Sequence, residues 1–219
     1  MLAKELISDD ISPLMTSDTG MIALSMMEEY KVRHLPIVNS ESLLGLISEN
    51  DIFDMSDPEA AIGSIKLSIQ SPYVFDYQFV YDIVREMAIK RLTLMPVVDS
   101  AMRYIGSINV LDMVESVSKF TAVSQPGGVI VIGVNQYDYS LSQIAQIVES
   151  NDAKILSVYV VNNTKNSDLE VTIKVNRMDI NAIIQTFERY DYNIKNLIFE
   201  DEHDDLNERY DSFMNYLNI

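Results

Sequence analysis

The sequence predicts an α+β protein made of two parts, a tandem repeat followed by a smaller βαββαβ domain. Three observations carry this reading. The segment Val32-Arg33-His34-Leu35-Pro36-Ile37-Val38 returns 60 residues later as Leu92-Thr93-Leu94-Met95-Pro96-Val97-Val98. Beyond the turn-forming Ser124-Gln125-Pro126-Gly127-Gly128 the apolar pattern changes to strand, helix, strand, strand, helix, strand. A chain of 219 residues with 47% apolar side chains is long enough to bury two such cores.

Each element of the repeat has a local cause. Ile22, Met26 and Tyr30 recur every four residues ahead of Pro36, as do Ile83 and Met87 ahead of Pro96, which predicts one helical face in each copy. Leu35 to Val38 and Leu43 to Ile47 flank the polar turn Asn39 to Ser42 and read as a hairpin. Leu44-Gly45-Leu46-Ile47 returns as Ile105-Gly106-Ser107-Ile108 with the glycines 61 apart, so the turns differ in length between the copies. Each copy reads helix, strand, turn, strand, helix, over residues 6–56 and 64–119 of a first domain spanning 1–123. One copy alone would bury too little surface, and two packed face to face solve that problem. The Met-rich stripe (Met21, Met26, Met27, Met55, Met87, Met95) is expected to pack in this core.

The order apolar-Pro-Ile/Val-Val, a short polar turn, then Gly-apolar-apolar-Ser-x-x-Asp (Gly45, Ser48, Asp51) resembles a CBS (cystathionine beta-synthase) repeat, and the resemblance covers Leu6 to Lys119. The second copy departs from the pattern at Asn109, which stands where Ser48 stands in the first, while Asp112 matches Asp51. CBS pairs commonly bind adenosine-type ligands between the repeats. The resemblance therefore implies that Asp51 and Asp112 accept hydrogen bonds from a ribose diol, a role suited to an acceptor-only carboxylate. Ser48 and Asp51 would lie in the first turn of a helix, where free N–H groups can face an anion. A second reading stays open: Ser-x-x-Asp and Asn-x-x-Asp are close to capping boxes and would cap a helix with or without a ligand. Arg33 and His34 occupy a place where some nucleotide-binding CBS proteins carry basic residues for phosphate. Their counterparts are Thr93 and Leu94, so phosphate binding is expected to be lopsided. The alternative is that Arg33 pairs with a surface carboxylate and His34 packs at the cleft rim.

The second domain, 128–200, is read in order. Val129 to Val134 is a strand; Leu141, Ile144, Ile147 and Val148 form a helical face; Ile155 to Val161 and Leu169 to Val175 are strands flanking the turn Asn162 to Asp168. Asp179 to Tyr190 is a helix with Ile180, Ile183, Ile184 and Phe187 on one face, and Asn193 to Phe199 is the last strand. This is the split βαβ order of ferredoxin-like domains. A domain of this order behind a CBS pair is similar to the acetoin-utilisation type of CBS-plus-ACT protein, whose ACT part is an amino-acid-binding or dimerising unit. The loop Asn135-Gln136-Tyr137-Asp138-Tyr139-Ser140 lacks the glycine that amino-acid-binding ACT domains usually carry there, so side-by-side dimerisation is the expectation. The tail 201–219 continues an acidic run begun at Glu200 and carries Leu206, Tyr210, Phe213, Met214 and Leu217 at helical spacing. It is expected to be a helix packed on its own domain or docked on a protein partner.

Charge and composition narrow the function classes. Thirty-three acidic against 16 basic residues give a formal charge of −17, which repels nucleic acid and anionic lipid. The absence of Cys excludes thiolate metal sites and disulfides, and the two His residues, His34 and His203, are far apart in sequence. No apolar run is long enough to span a bilayer and no leader pattern opens the chain, so a cytoplasmic protein is expected. No phosphate loop, Gly-x-Ser-x-Gly, His-Glu-x-x-His or metal-ligand cluster is present. The expectation is a non-catalytic regulatory homodimer that needs no cofactor or metal and responds to an adenine nucleotide; the competing expectation is a structural homodimer or partner-docking protein with degenerate clefts.

Overall fold

In the computed structural model, which describes residues 1–8, 10–67, 72–162 and 168–198, the chain divides into two units, Met1–Val117 and Ser118–Ile219. The first runs α1 (Gly20–Tyr30), β1 (His34–Asn39), β2 (Ser42–Ser48), α2 (Glu49–Phe53), β3 (Val74–Phe75), α3 (Val80–Lys90), β4 (Leu94–Val98), β5 (Tyr104–Asn109) and α4 (Val110–Phe120), which crosses the division. The mixed α+β class and the order of elements agree with the sequence.

The two copies share their local devices. Helices α1 and α3 both end on a residue in left-handed conformation, Lys31 (φ 55°) and Arg91 (φ 54°), whose following residues Val32 and Leu92 return their N–H groups to Met27 and Met87. The β1–β2 hairpin sets Ile37 opposite Gly45 and bulges at Ile37/Val38; the β4–β5 hairpin sets Val97 opposite Gly106 and bulges at Val97/Val98. The lead-in segments cross between copies. A Cβ at Gly106 would overlap the Ile7 side chain, and one at Gly45 would overlap Leu67, so each glycine is the bed for the segment that leads the other repeat. Gly106 also has φ 149°, which L side chains rarely adopt. Backbone bridges Leu2 to Phe79 and Thr19 to Ala61 reproduce the crossing on the helix starts. The core of this unit therefore mixes both copies, with Leu35, Ile47, Leu94 and Ile108 fully buried in one cluster.

The helical face of α1 differs from the expected one. Gly20, Ala23 and Met27 are its buried residues, whereas Ile22 is 45% exposed and Met26 and Tyr30 pack only partly on the core. Gly20 sits tightly against Ile52 and Met55, and this close approach turns the helix so that small residues face inward. Ile83 and Met87 of α3 are buried as expected. Of the Met stripe, Met27, Met87 and Met95 are buried, but Met21 is exposed.

The second unit runs β6 (Val129–Asn135), α5 (Leu141–Glu149), β7 (Ile155–Asn162), β8 (Asp168–Val175), α6 (Asn181–Arg189) and β9 (Asn193–Ile198). Its four strands pair antiparallel in the order β7-β8-β6-β9. Both helices cover one face, burying Ile144, Ile147, Val148, Ile183, Ile184 and Phe187 against Ile130, Ile132, Val171 and Ile173. Leu141, expected on the buried face of α5, is exposed in the first turn. The polar turn at 163–167 and the tail 201–219 lie outside the described residues.

Candidate ligand site

Ser48 and Asp51 form a reciprocal cap on α2. Asp51 Oδ2 accepts the Ser48 N–H at 2.8 Å and the Ser48 hydroxyl at 2.7 Å, while Ser48 Oγ accepts the Asp51 N–H at 3.2 Å. The Glu49 N–H donates to the Arg33 carbonyl, so the first turn of this five-residue helix is largely occupied by the protein itself.

The second copy is capped differently. Asn109 Oδ1 accepts the Asp112 N–H at 2.8 Å, and the Val110 N–H goes to the Thr93 carbonyl. An amide oxygen cannot give the carboxylate what the Ser48 hydroxyl gives Asp51. Asp112 Oδ2 is buried with no hydrogen-bond partner among the described residues.

Arg33 and His34 meet the second repeat at Thr93. The Arg33 N–H donates to Thr93 Oγ1 at 2.8 Å, His34 Nδ1 lies 2.9 Å from the same oxygen, and the Thr93 N–H donates to Nδ1 at 3.2 Å. A ring nitrogen that accepts a backbone N–H carries no proton, which leaves Nε2–H as the donor of a neutral imidazole. Burial, the largest cause, holds the His34 pKa below its usual value; Asp51 and Glu49 oppose this and Arg33 adds to it.

A cavity of about 380 Å³ is lined by Arg33, His34, Ser48, Glu49 and Asn50 of the first repeat and Lys90 and Arg91 of the second. Of the six residues expected from sequence, it brings together Arg33, His34 and Ser48; Asp51 is capped just behind its wall, and Asn109 and Asp112 are not part of it. Lys90 and Arg91 were not singled out in the sequence, where basic residues at a helix C-terminus are ordinary partners of the macrodipole. The arrangement can hold an anion. Among the described residues there is no group of three or more His, Asp or Glu side chains placed to hold a metal.

Residues 3–57 match the CBS domain family model.

CBS domains are regulatory ligand-sensing modules, and proteins built on CBS pairs are generally non-catalytic. Similar solved structures include a CBS domain pair/ACT domain protein from Thermotoga maritima (20% identity, 54% of this chain and 98% of that one, TM-score 0.49). They also include the CBS domains of a transcriptional regulator from Streptococcus pneumoniae (18%, 52% and 98%, TM-score 0.47). A third is CBSX2 in complex with AMP (18%, 54% and 96%, TM-score 0.46). No helix among the described residues is long and apolar enough to cross a membrane.

The second unit carries its own cavity of about 270 Å³, lined by Gly133, Asn135, Asp138, Gln143, Tyr192 and neighbouring residues. The loop from Asn135 to Asp138 forms part of its lining, and the Tyr192 hydroxyl donates to Gln143 Oε1 at 2.8 Å.

Proposed function

We propose that the CBS repeats, 6–56 and 64–119, form a regulatory module that binds an adenine nucleotide, and that the chain is non-catalytic, in the manner of the acetoin-utilisation CBS-plus-ACT proteins. Asp112 carries this reading. Its Oδ2 is buried without a partner among the described residues, a state that costs about 1–3 kcal/mol unless a donor arrives. A ribose diol offers two hydroxyl donors, and a carboxylate accepts both. Asp51 is the matching acceptor of the first copy, with Arg33 and His34 beside it for phosphate.

Calorimetry with adenosine, AMP, ADP, ATP and S-adenosylmethionine tests the reading. Adenosine is expected to bind, and Asp112→Ala to weaken it about tenfold, the loss of one charge-assisted hydrogen bond. Unchanged affinity for every adenosine ligand in a folded Asp112→Ala variant overturns it.

A homodimer is the second part of the proposal. β7 is an edge strand whose Tyr159 and Val161 are 51% and 52% exposed, with Val160 between them. A long apolar edge of this kind supports strand addition by a second copy. The 128–200 domain is then the dimerising partner of the 1–123 CBS pair.

A further inference from the structure

Residues 73–81 carry an aromatic side chain at every second position: Tyr73, Phe75, Tyr77, Phe79 and Tyr81. Neighbouring rings touch. Tyr73 and Phe75 meet edge to face with centroids 5.6 Å apart, Phe75 and Tyr77 stack at 5.3 Å with 10° between their planes, and Phe79 meets Tyr81 edge to face at 5.3 Å. The core covers little of the last three: Tyr77 is 60%, Phe79 45% and Tyr81 70% exposed. A ring stacked on one side and this exposed leaves its other face to solvent.

The first repeat shows that the fold does not require these rings. Leu14 bridges Ile37 as Val74 pairs with Val97, both in parallel, which fixes the correspondence at an offset of 60. The turn is held alike in both copies: the Met15 N–H donates to the Asp18 carboxylate and the Phe75 N–H to the Gln78 amide oxygen, each at 2.7 Å. On this shared backbone the first copy has Pro13, Met15, Ser17, Thr19 and Met21 where the second has its aromatics. One exchange removes a local interaction. Thr19 caps α1 by accepting the Ile22 N–H, whereas Phe79 at the same position gives α3 no side-chain cap. Local stability favours the hydroxyl there, and a ring nearly half exposed recovers only part of its burial in return.

Charge selects the occupant. Between Lys66 and Arg85 the sequence has no basic residue and two carboxylates, Asp76 and Asp82. Asp82 pairs with Arg85 at 3.2 Å, and Asp76 has no ion pair among the described residues. The N-terminal segment, whose Ala3 and Lys4 N–H groups donate to the Gln78 and Asp76 carbonyls, adds one charge of each sign, Lys4 and Glu5. A chain of formal charge −17 repels anionic partners, and a second copy set twofold on this patch would bring identical carboxylates together. We propose that Tyr77, Phe79 and Tyr81, with Asp76, form a docking surface for a basic, arginine-bearing segment of a partner protein. Exposed aromatic faces attract a guanidinium through the ring quadrupole, and the Asp76 carboxylate accepts its N–H groups.

The test is fluorescence anisotropy of the full chain with a labelled octapeptide of alternating arginine and glycine, and with its lysine counterpart. The wild type is compared with Tyr77→Ser/Tyr81→Met, which takes the residues of the first repeat and keeps the net charge, and with the nearly isosteric Asp76→Asn. Unchanged circular dichroism and melting confirm the fold of both variants. The arginine peptide is expected to bind the wild type more tightly than the lysine peptide, to lose about tenfold in the double variant and to lose severalfold in Asp76→Asn. Equal affinities of the two peptides for the wild type, or arginine-peptide affinity unaltered in either variant, assigns the attraction to the acidic surface at large and overturns the proposal. Binding of maltohexaose that the double variant loses, or self-association in light scattering that it abolishes, assigns the surface to a sugar or to a second copy and overturns it as well.

Discussion

His34 and Thr93, 59 residues apart, are joined at the seam of the two repeats: the Thr93 N–H donates to His34 Nδ1 at 3.2 Å, and Thr93 Oγ1 lies 2.9 Å from the same nitrogen. The bond requires a neutral imidazole, and burial already lowers the His34 pKa below 6.5. A histidine whose folded-state pKa is depressed contributes stability above its unfolded pKa, and this is lost as pH falls below that value toward the folded one. The melting temperature is expected to drop from about pH 7.5 to about pH 5.5, and to drop less in His34→Asn, whose amide oxygen accepts the same N–H without titrating. Identical slopes for the two proteins in thermal melts would show that the seam does not sense pH.

The two helix caps should respond differently to the loss of their carboxylates. Asp51 accepts two hydrogen bonds from Ser48, and Asp51→Ala is expected to cost about 1–2 kcal/mol of stability. Asp112 Oδ2 accepts none among the described residues, and Asp112→Ala should cost clearly less in the same denaturant titration without ligand. Equal costs would mean that Asp112 is as structural as Asp51.

Gly106 should not tolerate a side chain. Its φ of 149° and the Ile7 side chain over it predict about 2 kcal/mol or more of destabilisation for Gly106→Ala. Part of that cost is steric, so the loss in an Ile7→Ala background should be smaller by about 1 kcal/mol. Strict additivity in the double-mutant cycle would place the whole effect in the backbone.

A lysine on the edge of β7 should prevent strand addition. Val160→Lys is expected to convert a dimer to a monomer by light scattering at micromolar concentration, with melting of the second unit unchanged. A wild-type monomer, or a dimer indifferent to this change, rules out association through β7.

Local chemistry by itself determined the repeat, the hairpins, the helix caps and the order of elements along the second unit. These depend on short-range spacing: the polar turn between Val38 and Leu43, Ser48 three residues before Asp51, and alternating or helical apolar periods. Arg33, His34 and Ser48, which line one cavity, lie on a single hairpin segment of the sequence, and the Ser48–Asp51 cap is a three-residue spacing.

Tertiary structure decided what depends on pairs distant in the chain. Ile22, Met26 and Tyr30 are the larger apolar residues at helical spacing, yet Gly20, Ala23 and Met27, at an equally helical spacing, face the core, where Ile52 and Met55 close tightly on Gly20. Lys90 and Arg91 read as the ordinary end of a helix, yet in the folded unit they line one cavity with Arg33 and His34. Asp112 matches Asp51 in sequence, and only burial without a donor distinguishes its carboxylate from the capped one. A periodic pattern reports which residues share a face of one element, whereas the partner of that face is fixed by the close packing of the whole unit.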